Sequence, residues 1–330
     1  MTEVSVVTAV YNGEHYLEQC IKSVLAQTHQ EFEYLICNNH STDRSGEIAQ
    51  DYAAADSRIR VIQPPTFLPQ VKNFNFAYSQ ISERSKYLKM VHADDWIYPE
   101  CLSKMSSLAD QNPEVALVSA YRLIETTPDC FGVPVDRNVF SGREACRWHL
   151  LGTAYPFGSQ STVMYRADVV RRGNPTFFPE DRFYFDVDAA FRMLVDREFG
   201  FVHQILTFSR YQPGAVTDQA SQFNTWFLFL FVTLEQYGRQ LLTPEEFEAR
   251  MSQVSSEMYR GFGEVWLKDR VRRRKRSKFW EFQRKHLGAV GAEIRPELLA
   301  KGVLDAGLKW LGSPSDLTQK FLTGVRRIST

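Results

Sequence analysis

The chain has 330 residues, of which 44% are hydrophobic and 24% are charged, an ordinary composition for a globular protein. The formal net charge is zero but unevenly spread, because residues 268–330 carry sixteen basic and six acidic side chains and the first 267 residues therefore carry a net −10. An acidic body argues against nucleic-acid binding and requires a metal ion if it is to hold a phosphorylated ligand.

The same sequence argues against secretion and membrane insertion. The opening residues lack the basic start of a signal peptide. The most apolar run, WFLFLFVTL at 226–234, has nine residues, whereas a membrane-spanning helix needs about 20. Five cysteines at 20, 37, 101, 130 and 146 show no paired spacing, which predicts neither a metal cluster nor a disulfide framework and favours a reduced, cytoplasmic setting.

Strands and helices alternate along the first part of the chain. Apolar or β-branched runs predict strands at 4–11, 32–39, 58–63, 86–91 and 115–120. Helical periodicity and capping residues predict helices after Gly13, after Asp43, at 70–82 and at 99–110. Such alternation predicts an α/β fold with a mainly parallel, twisted sheet and helices on both faces.

The pattern changes beyond residue 120. It predicts helices at 141–151 and 186–196, strands at 159–166 and 199–210, and almost continuous helix from 221 onward. The second part of the chain is therefore expected to end in a helical extension.

Polar residues follow three predicted strands where each strand ends: Thr8–Tyr11, Asn38-Asn39 and His92–Asp95. In parallel sheets, ligands bind beyond the carboxyl ends of the strands. The adjacent Asp94 and Asp95 are notable because two like charges at the end of a buried strand repel each other unless a cation or a donor is near. A solvated Asp-Asp turn is the alternative to a cation site.

Three segments together resemble the family 2 glycosyltransferases: VSVVTAVYNGEHYLEQCIKSVLAQT, EYLICNNHSTDRS and YLKMVHADDWIYPECL. They are similar to the family's first strand and helix, its second strand and turn, and its metal-binding block. FYFDVDAAFRML and SRYQPGAVT are weaker matches to two later blocks. The likeness spans residues 3 to 217.

The resemblance implies a GT-A fold and an inverting, metal-dependent enzyme. Such an enzyme moves a sugar from a nucleoside diphosphate, here most simply UDP, to a hydroxyl of a carbohydrate or lipid-linked acceptor, in surface polysaccharide or glycolipid assembly. It predicts a domain at 1–217, with a nucleotide-binding half (1–120) and an acceptor and base half (121–217), and a helical region at 218–330. A catalytically silent nucleotide-binding or scaffold protein on the same fold is the alternative, because several motif positions depart from the family pattern.

By motif position, Asp94 is the ligand of a divalent Mn²⁺ or Mg²⁺ and Asp95 orients neighbouring groups. The cation would neutralise the charge that grows on the departing diphosphate. The predicted nucleotide-binding residues are Thr8, Ala9, Tyr11, Glu14, Asn38, Asn39, His92, Ala93 and Arg210.

Several of these positions differ from the usual motif. His92 replaces an acidic residue and could bond a ribose hydroxyl, bind a metal or be structural. Asn38 and Asn39 replace the acidic pair that recognises the base, so uracil is permitted rather than specified. Gln212 replaces a histidine, whereas Arg210 is retained and could pair with the diphosphate.

Asp186 is the predicted general base that takes the proton of the acceptor hydroxyl. Its neighbour Phe185 replaces an acidic residue and is expected to raise the pKa of Asp186 by desolvation. Asp188 is the second choice. Since Asp186 opens a predicted helix, helix capping is the competing interpretation.

The basic segment 268–285 includes RVRRRKRSK, and aromatic residues flank it from Trp266 to Phe282. This pattern is compatible with peripheral binding of residues 266–285 to the anionic inner surface of a membrane. The pattern favours the alternative, a solvated helix or a helix that contacts another subunit of an oligomer. Nucleic acid is not expected as a partner.

Overall fold

The computed structural model describes residues 4–172, 177–180, 182, 184–211, 223, 225–271 and 277–311. The chain forms two compact units, Met1–Gln212 and Pro213–Thr330. Each is described separately below.

The first unit is built on one continuous sheet. Among the described residues its strands are β1 (Val4–Val10), β2 (Phe32–Asn38), β3 (Ile59–Ile62), β4 (Tyr87–Met90), β5 (Trp96–Ile97), β6 (Val115–Ile124), β7 (Thr127–Asp129), β8 (Val139–Ser141), β9 (Met164–Arg166) and β10 (Glu198–Ser209). The order is β3-β2-β1-β4-β9-β6-β10-β5, with β7 beside β6 and β8 beside β10. Neighbours are parallel from β3 to β4 and again between β6 and β10. The predicted α/β fold with a mainly parallel sheet is confirmed.

Helices flank this sheet: α1 (Leu17–Leu25), α2 (Ser45–Ala55), α3 (Gln70–Ser79), α4 (Cys101–Gln111), α5 (Gly142–Leu151), α6 (Ala167–Arg172) and α7 (Phe185–Leu194). The core lies between the helices and the sheet. Helix α1 shows the principle, because its buried residues Leu17, Cys20, Ile21 and Val24 recur at helical spacing and pack with the buried valines of β1. The five cysteines are free and buried.

The predicted strand 159–166 is wrong over most of its length. Only Met164–Arg166 is extended, and it pairs antiparallel with β4. The preceding residues form a turn in which Gly158 has a φ of +60° and the N–H of Ser159 donates to Thr162 Oγ1 at 3.1 Å. Gln160, Ser161 and Thr162 of this turn are buried, as residues of a core strand would be.

The second unit is helical, which confirms the predicted C-terminal helical extension. Its described helices are α8 (Thr225–Thr233), followed by a π-helical turn (Leu234–Gly238) and a short helical end (Arg239–Leu241), then α9 (Pro244–Val271), α10 (Ser277–Gly288) and α11 (Pro296–Leu311). Helices α9 and α11 approach closely where Gly263 faces Gly302: a Cβ on Gly263 would lie 2.2 Å from the carbonyl oxygen of Gly302. None of the described helices is long and apolar enough to cross a membrane.

The aromatic residues beside the basic segment take part in this helical packing. Phe279 is buried, with its ring 5.9 Å from that of Phe262, and Trp280 is 5.7 Å from the same ring. Arg270 lies over the indole of Trp266 at 4.9 Å. The middle of the basic run, 272–276, lies outside the described residues, so membrane binding through 266–285 stays a prediction.

Candidate active site

Loops that follow β1 and β2 are joined by hydrogen bonds at the carboxyl edge of the sheet. The N–H groups of Asn12, Gly13 and Glu14 donate to Ser41 Oγ, Ser45 Oγ and Asp43 Oδ2 at 3.1, 2.8 and 3.0 Å. In return, Asn12 Oδ1 accepts from the N–H of Thr42 and Glu14 Oε2 accepts from the N–H of Arg44. Asn12 has a φ of 51°, a conformation that Asn tolerates better than most residues. The carboxylate of Glu14, in the loop after β1, therefore hydrogen-bonds the loop after β2.

Tyr11 lies at the outer end of β1 with 52% of its surface exposed. Its ring packs edge-on against that of Phe67, which is 54% exposed, at a centroid distance of 4.9 Å. Two exposed, mutually supporting rings at a strand end offer a face on which a nucleobase can stack. Phe67 was missed by sequence reasoning because its loop has no periodicity and no motif.

Thr8 is placed differently from its prediction. Its side chain is fully buried, donates to the carbonyl of Val91 at 2.9 Å and bonds the hydroxyl of Tyr34 at 2.9 Å. The Thr8 hydroxyl therefore joins β1 to the end of β4 inside the core. Only the backbone of Thr8 remains available to a ligand. Ala9 is half-buried on the same strand.

The two asparagines after β2 differ in their surroundings. Asn39 is 3% exposed and bonds both backbone groups of Leu68, donating to its carbonyl at 2.8 Å and accepting from its N–H at 3.0 Å. Asn38 is half-buried, and its Oδ1 accepts from the N–H of Ser41 at 3.0 Å. The side-chain amide of Asn39 thus holds the 64–69 loop.

Asp94 and Asp95 follow β4, and their surroundings separate their roles. Asp95 is 7% exposed, and its carboxylate accepts from Ser209 Oγ at 3.2 Å and from the N–H of Arg210 at 3.1 Å. Burial raises the pKa of Asp95 and the adjacent charge of Asp94 adds to this, whereas His92 opposes it. Asp94 is half-buried, and no group in the described part of the chain donates to its carboxylate.

This arrangement suits a divalent cation whose coordination shell is completed by oxygens of a bound ligand. Mg²⁺ and Mn²⁺ take oxygen donors, and one or two carboxylates together with phosphate oxygens suffice. Within the described ranges, no three His, Cys, Asp or Glu side chains gather into a metal-binding group. Among the described residues, Asp94 is the carboxylate of this loop that accepts no hydrogen bond, so its oxygens are available to a cation.

His92 lies between the Asp94-Asp95 loop and the predicted base. Its N–H donates to Ser161 Oγ at 2.9 Å, and its ring packs edge-on against Phe74 at 5.7 Å. Nε2 is buried and has no hydrogen-bond partner among the described residues. Ala93 is half-buried beside Gly13, where a Cβ would lie 3.5 Å from that of Ala93. The loops after β1 and β4 therefore meet.

Asp186 lies in the first turn of α7, which begins at Phe185 with Tyr184 as its N-cap residue. Its Oδ1 accepts from the N–H of the next residue, Val187, at 2.9 Å. Asp186 is therefore not the N-cap residue, although its carboxylate accepts a first-turn N–H group of α7 as a capping side chain does. Asp188 is also paired, because its Oδ2 accepts from Arg192 Nε at 3.1 Å.

A small cavity of about 10 Å³, room for about one water molecule, includes Asp186 and is otherwise mostly apolar. Its lining includes Leu117, Phe157, Gly158, Ser159, Val163, Tyr165, Val187 and Ala190. Burial raises the pKa of Asp186, while its hydrogen bond to Val187 and the nearby His92 oppose the change. A carboxylate in such surroundings is a stronger base than one in water.

Lys89 is a second residue that sequence reasoning missed. It is fully buried on β4 and donates its ammonium to the carbonyls of Ser161 and Val163, the latter at 3.2 Å. Burial lowers its pKa. Lys89 thereby fastens the turn that lines the Asp186 pocket to the strand that leads into Asp94.

The model of Glycosyl transferase family 2 matches residues 5–173, and the chain belongs to that family. It is 37% identical over 110 residues to the uncharacterized glycosyltransferase EpsJ of Bacillus subtilis (strain 168). That match covers 33% of this chain and 31% of EpsJ, so the chain spans about a third of this relative's length.

Solved structures show the same fold. The structure of S. aureus TarS 1-349 in complex with UDP superposes with a TM-score of 0.59 at 17% identity, covering 88% of this chain and 81% of TarS 1-349. The mannosyltransferase PcManGT from Pyrobaculum calidifontis, in complex with GDP-Man and Mn²⁺, has a TM-score of 0.55 at 13% identity, covering 92% of this chain and 79% of its own. The GT-A fold expected from the sequence is confirmed.

Proposed function

We propose that this chain is an inverting, metal-dependent glycosyltransferase that takes its sugar from a nucleoside diphosphate, with UDP favoured. Its acceptor is a hydroxyl of a carbohydrate or lipid-linked molecule, in the assembly of a surface polysaccharide or glycolipid. The site residues predicted from the sequence are retained as proposals, with a structural part for Thr8, Asn39 and Asp95.

One observation carries the proposal. Among the described residues, nothing donates to the carboxylate of Asp94, and that of Asp186 lies in a mostly apolar pocket. His92, two residues before Asp94, donates its N–H to Ser161 Oγ at 2.9 Å, and Ser159 and Val163 of the same segment line that pocket. A transferase needs these two kinds of carboxylate, because one must meet a cation and the other must accept a proton.

The chain's own residues have distinct parts in the reaction. Tyr11 and Phe67 stack on the base, and the 64–69 loop is kept in place by Asn39. Asp186 accepts the proton of the acceptor hydroxyl as that oxygen attacks the anomeric carbon. The bond between this carbon and the diphosphate oxygen breaks, and attack from the opposite face inverts the configuration.

A bound Mn²⁺ or Mg²⁺ would supply positive charge for the leaving diphosphate, and Asp94 would hold it. Asp95 would hold the loop in the conformation that presents Asp94, because its own carboxylate already accepts hydrogen bonds from Ser209 and Arg210. Two structural neighbours support this choice, because TarS binds UDP and PcManGT binds GDP-Man together with Mn²⁺ in their solved structures.

The test is a UDP-release assay over a panel of UDP-sugars and acceptors, with Mn²⁺ or with EDTA. We expect turnover with at least one donor in Mn²⁺, its loss in Asp94→Asn, and a decrease of about 10²-fold or more in Asp186→Asn. Transfer at the wild-type rate by Asp186→Asn would overturn the assignment of the base.

The silent nucleotide-binding alternative has specific support from His92 and Asn39, which replace acidic residues of the motif. It predicts UDP binding without turnover across the whole panel. Binding and turnover are measured on the same preparation, so the assay separates the two functions.

A further inference from the structure

Arg210 follows β10 and contacts the Asp94-Asp95 loop through both its backbone and its side chain. Its N–H donates to Asp95 Oδ1 at 3.1 Å, and its Nε donates to the carbonyl oxygen of Asp94 at 3.3 Å. The preceding residue, Ser209, donates its hydroxyl to Asp95 Oδ2 at 3.2 Å. Two consecutive residues at the end of β10 thus fasten the backbone and the buried carboxylate of this loop.

The guanidinium of Arg210 is itself held by neighbouring elements. Its Nη2 donates to Gln19 Oε1 on α1 at 2.9 Å. Its carbon lies 4.2 Å from the centre of the Tyr16 ring and 5.3 Å from that of Trp96. From its position after β10, Arg210 therefore contacts residues of α1 and β5 and also hydrogen-bonds the backbone of Asp94.

These contacts use two of the five N–H donors of the Arg210 guanidinium. A guanidinium binds a diphosphate through paired N–H groups that face free space. Here Nε and Nη2 already donate to protein oxygens, and an aromatic ring lies close to the guanidinium. Because its acceptor at Asp94 is the carbonyl and not the carboxylate, the charge of Asp94 stays available for a cation.

We propose that Arg210 is a positioning residue for Asp94, which fixes the direction of that carboxylate toward the cation. This inference rests on the proposed function, because it takes Asp94 as the metal ligand. Loss of groups that orient a metal ligand lowers metal affinity by about 10–100-fold in other proteins.

The test measures UDP affinity by calorimetry in EDTA and over a Mn²⁺ titration, for the wild type, Arg210→Gln and Arg210→Lys. Arg166→Gln is a matched control, because Arg166 also donates Nε and Nη2 to protein carbonyls, those of Val115 and Ala109. Arg166 pairs with Tyr87 at the opposite end of β4.

We expect Arg210→Gln to require about tenfold more Mn²⁺ for half of the metal-dependent gain in UDP affinity. Its affinity in EDTA should equal that of the wild type, and Arg166→Gln should change neither quantity. Arg210→Lys should give an intermediate Mn²⁺ requirement, and it answers the question if Arg210→Gln does not fold.

Two results would overturn the inference. Equal losses of UDP affinity in EDTA and in Mn²⁺ would show a direct contact between Arg210 and the nucleotide, and an unchanged Mn²⁺ requirement would show a purely structural role. If wild type and Asp94→Asn both bind UDP without any effect of Mn²⁺, the proposed metal site fails as well. That outcome is distinct, because it is seen before any Arg210 variant is measured.

Discussion

Asn39 makes two hydrogen bonds to the backbone of Leu68, one as donor and one as acceptor. The two residues are 29 positions apart in sequence, and the pair fixes the loop that carries Phe67 beside Tyr11. An amide can make both bonds, whereas a carboxylate can only accept.

Replacement of Asn39 by Asp should therefore destabilise the protein without improving the recognition of uracil. The new carboxylate would face the carbonyl oxygen of Leu68 with no proton to donate, at a cost of about 1–3 kcal/mol in the free energy of unfolding. Asn38→Asp is the control, since Asn38 accepts from Ser41 and a carboxylate keeps that bond. Urea denaturation and UDP titration measure both effects. Tighter UDP binding by Asn39→Asp would show that this position contacts the base.

Asp186→Asn should raise stability at neutral pH while it removes transfer. Burial raises the pKa of Asp186 in the folded protein, so the folded state binds the proton more tightly than the unfolded state does. Below the unfolded-state pKa of about 3.9, protonated Asp186 makes its full contribution to the free energy of unfolding. This contribution is lost as the pH rises through the higher pKa of Asp186 in the folded state.

The difference in melting temperature between Asp186→Asn and wild type should therefore grow from acid to neutral pH. Asp188→Asn provides the comparison, because Asp188 pairs with Arg192 and its replacement should give no such gain. A melting temperature of Asp186→Asn that lies below the wild-type value at pH 7 would contradict the proposed desolvation.

Removal of either exposed ring at the base site should weaken nucleotide binding with little effect on folding. Stacking of a base on an aromatic side chain is worth about 1–3 kcal/mol, or roughly 5–150-fold in the dissociation constant. Tyr11→Ala and Phe67→Ala should show losses in this range by UDP titration. Phe131→Ala is the control, since Phe131 is 62% exposed and none of its described contacts joins it to this site. An equal effect of all three substitutions would argue against stacking at Tyr11 and Phe67.

Two glycines of α11 should respond in opposite directions to replacement by alanine. A Cβ on Gly302 would lie 2.1 Å from the carbonyl oxygen of Tyr259, so Gly302→Ala must separate α9 from α11. Outside the backbone of its own helix, no heavy atom of the described residues lies within 4 Å of a Cβ on Gly307, and Gly307→Ala should stabilise the helix by about 1 kcal/mol. Thermal denaturation followed by circular dichroism checks both. Stabilisation by Gly302→Ala would mean that the two helices do not meet at this point.

The sequence predicts those parts of the fold that depend on local pattern. Alternating apolar runs and capping residues identify the main strands and helices, and polar residues at strand ends identify the edge that holds Asp94. The length of β9 is not predictable in this way, because the buried turn before it, with Gly158 at φ +60°, imitates a strand. Strand β5 has two residues and is too short to show a period.

The roles of individual site residues depend on contacts that are distant in sequence. Nothing in the neighbourhood of Asn39 indicates Leu68 as its partner, and the bond between Arg210 and Asp94 spans 116 positions. The sequence gives Asp94 and Asp95 the same residue type, and only burial and two donors to Asp95 separate them. Motif position thus locates the site in the sequence. The role of each residue in it depends on the residue's contacts in the folded protein.

We propose that Asp94 joins the nucleotide to this protein through a divalent cation. The decisive measurement is the affinity of wild type and Asp94→Asn for UDP, determined by calorimetry with Mn²⁺ and with EDTA. We expect Mn²⁺ to tighten UDP binding by the wild type and to have no effect on Asp94→Asn, while the two proteins bind UDP equally in EDTA. The same gain from Mn²⁺ in both proteins would contradict it.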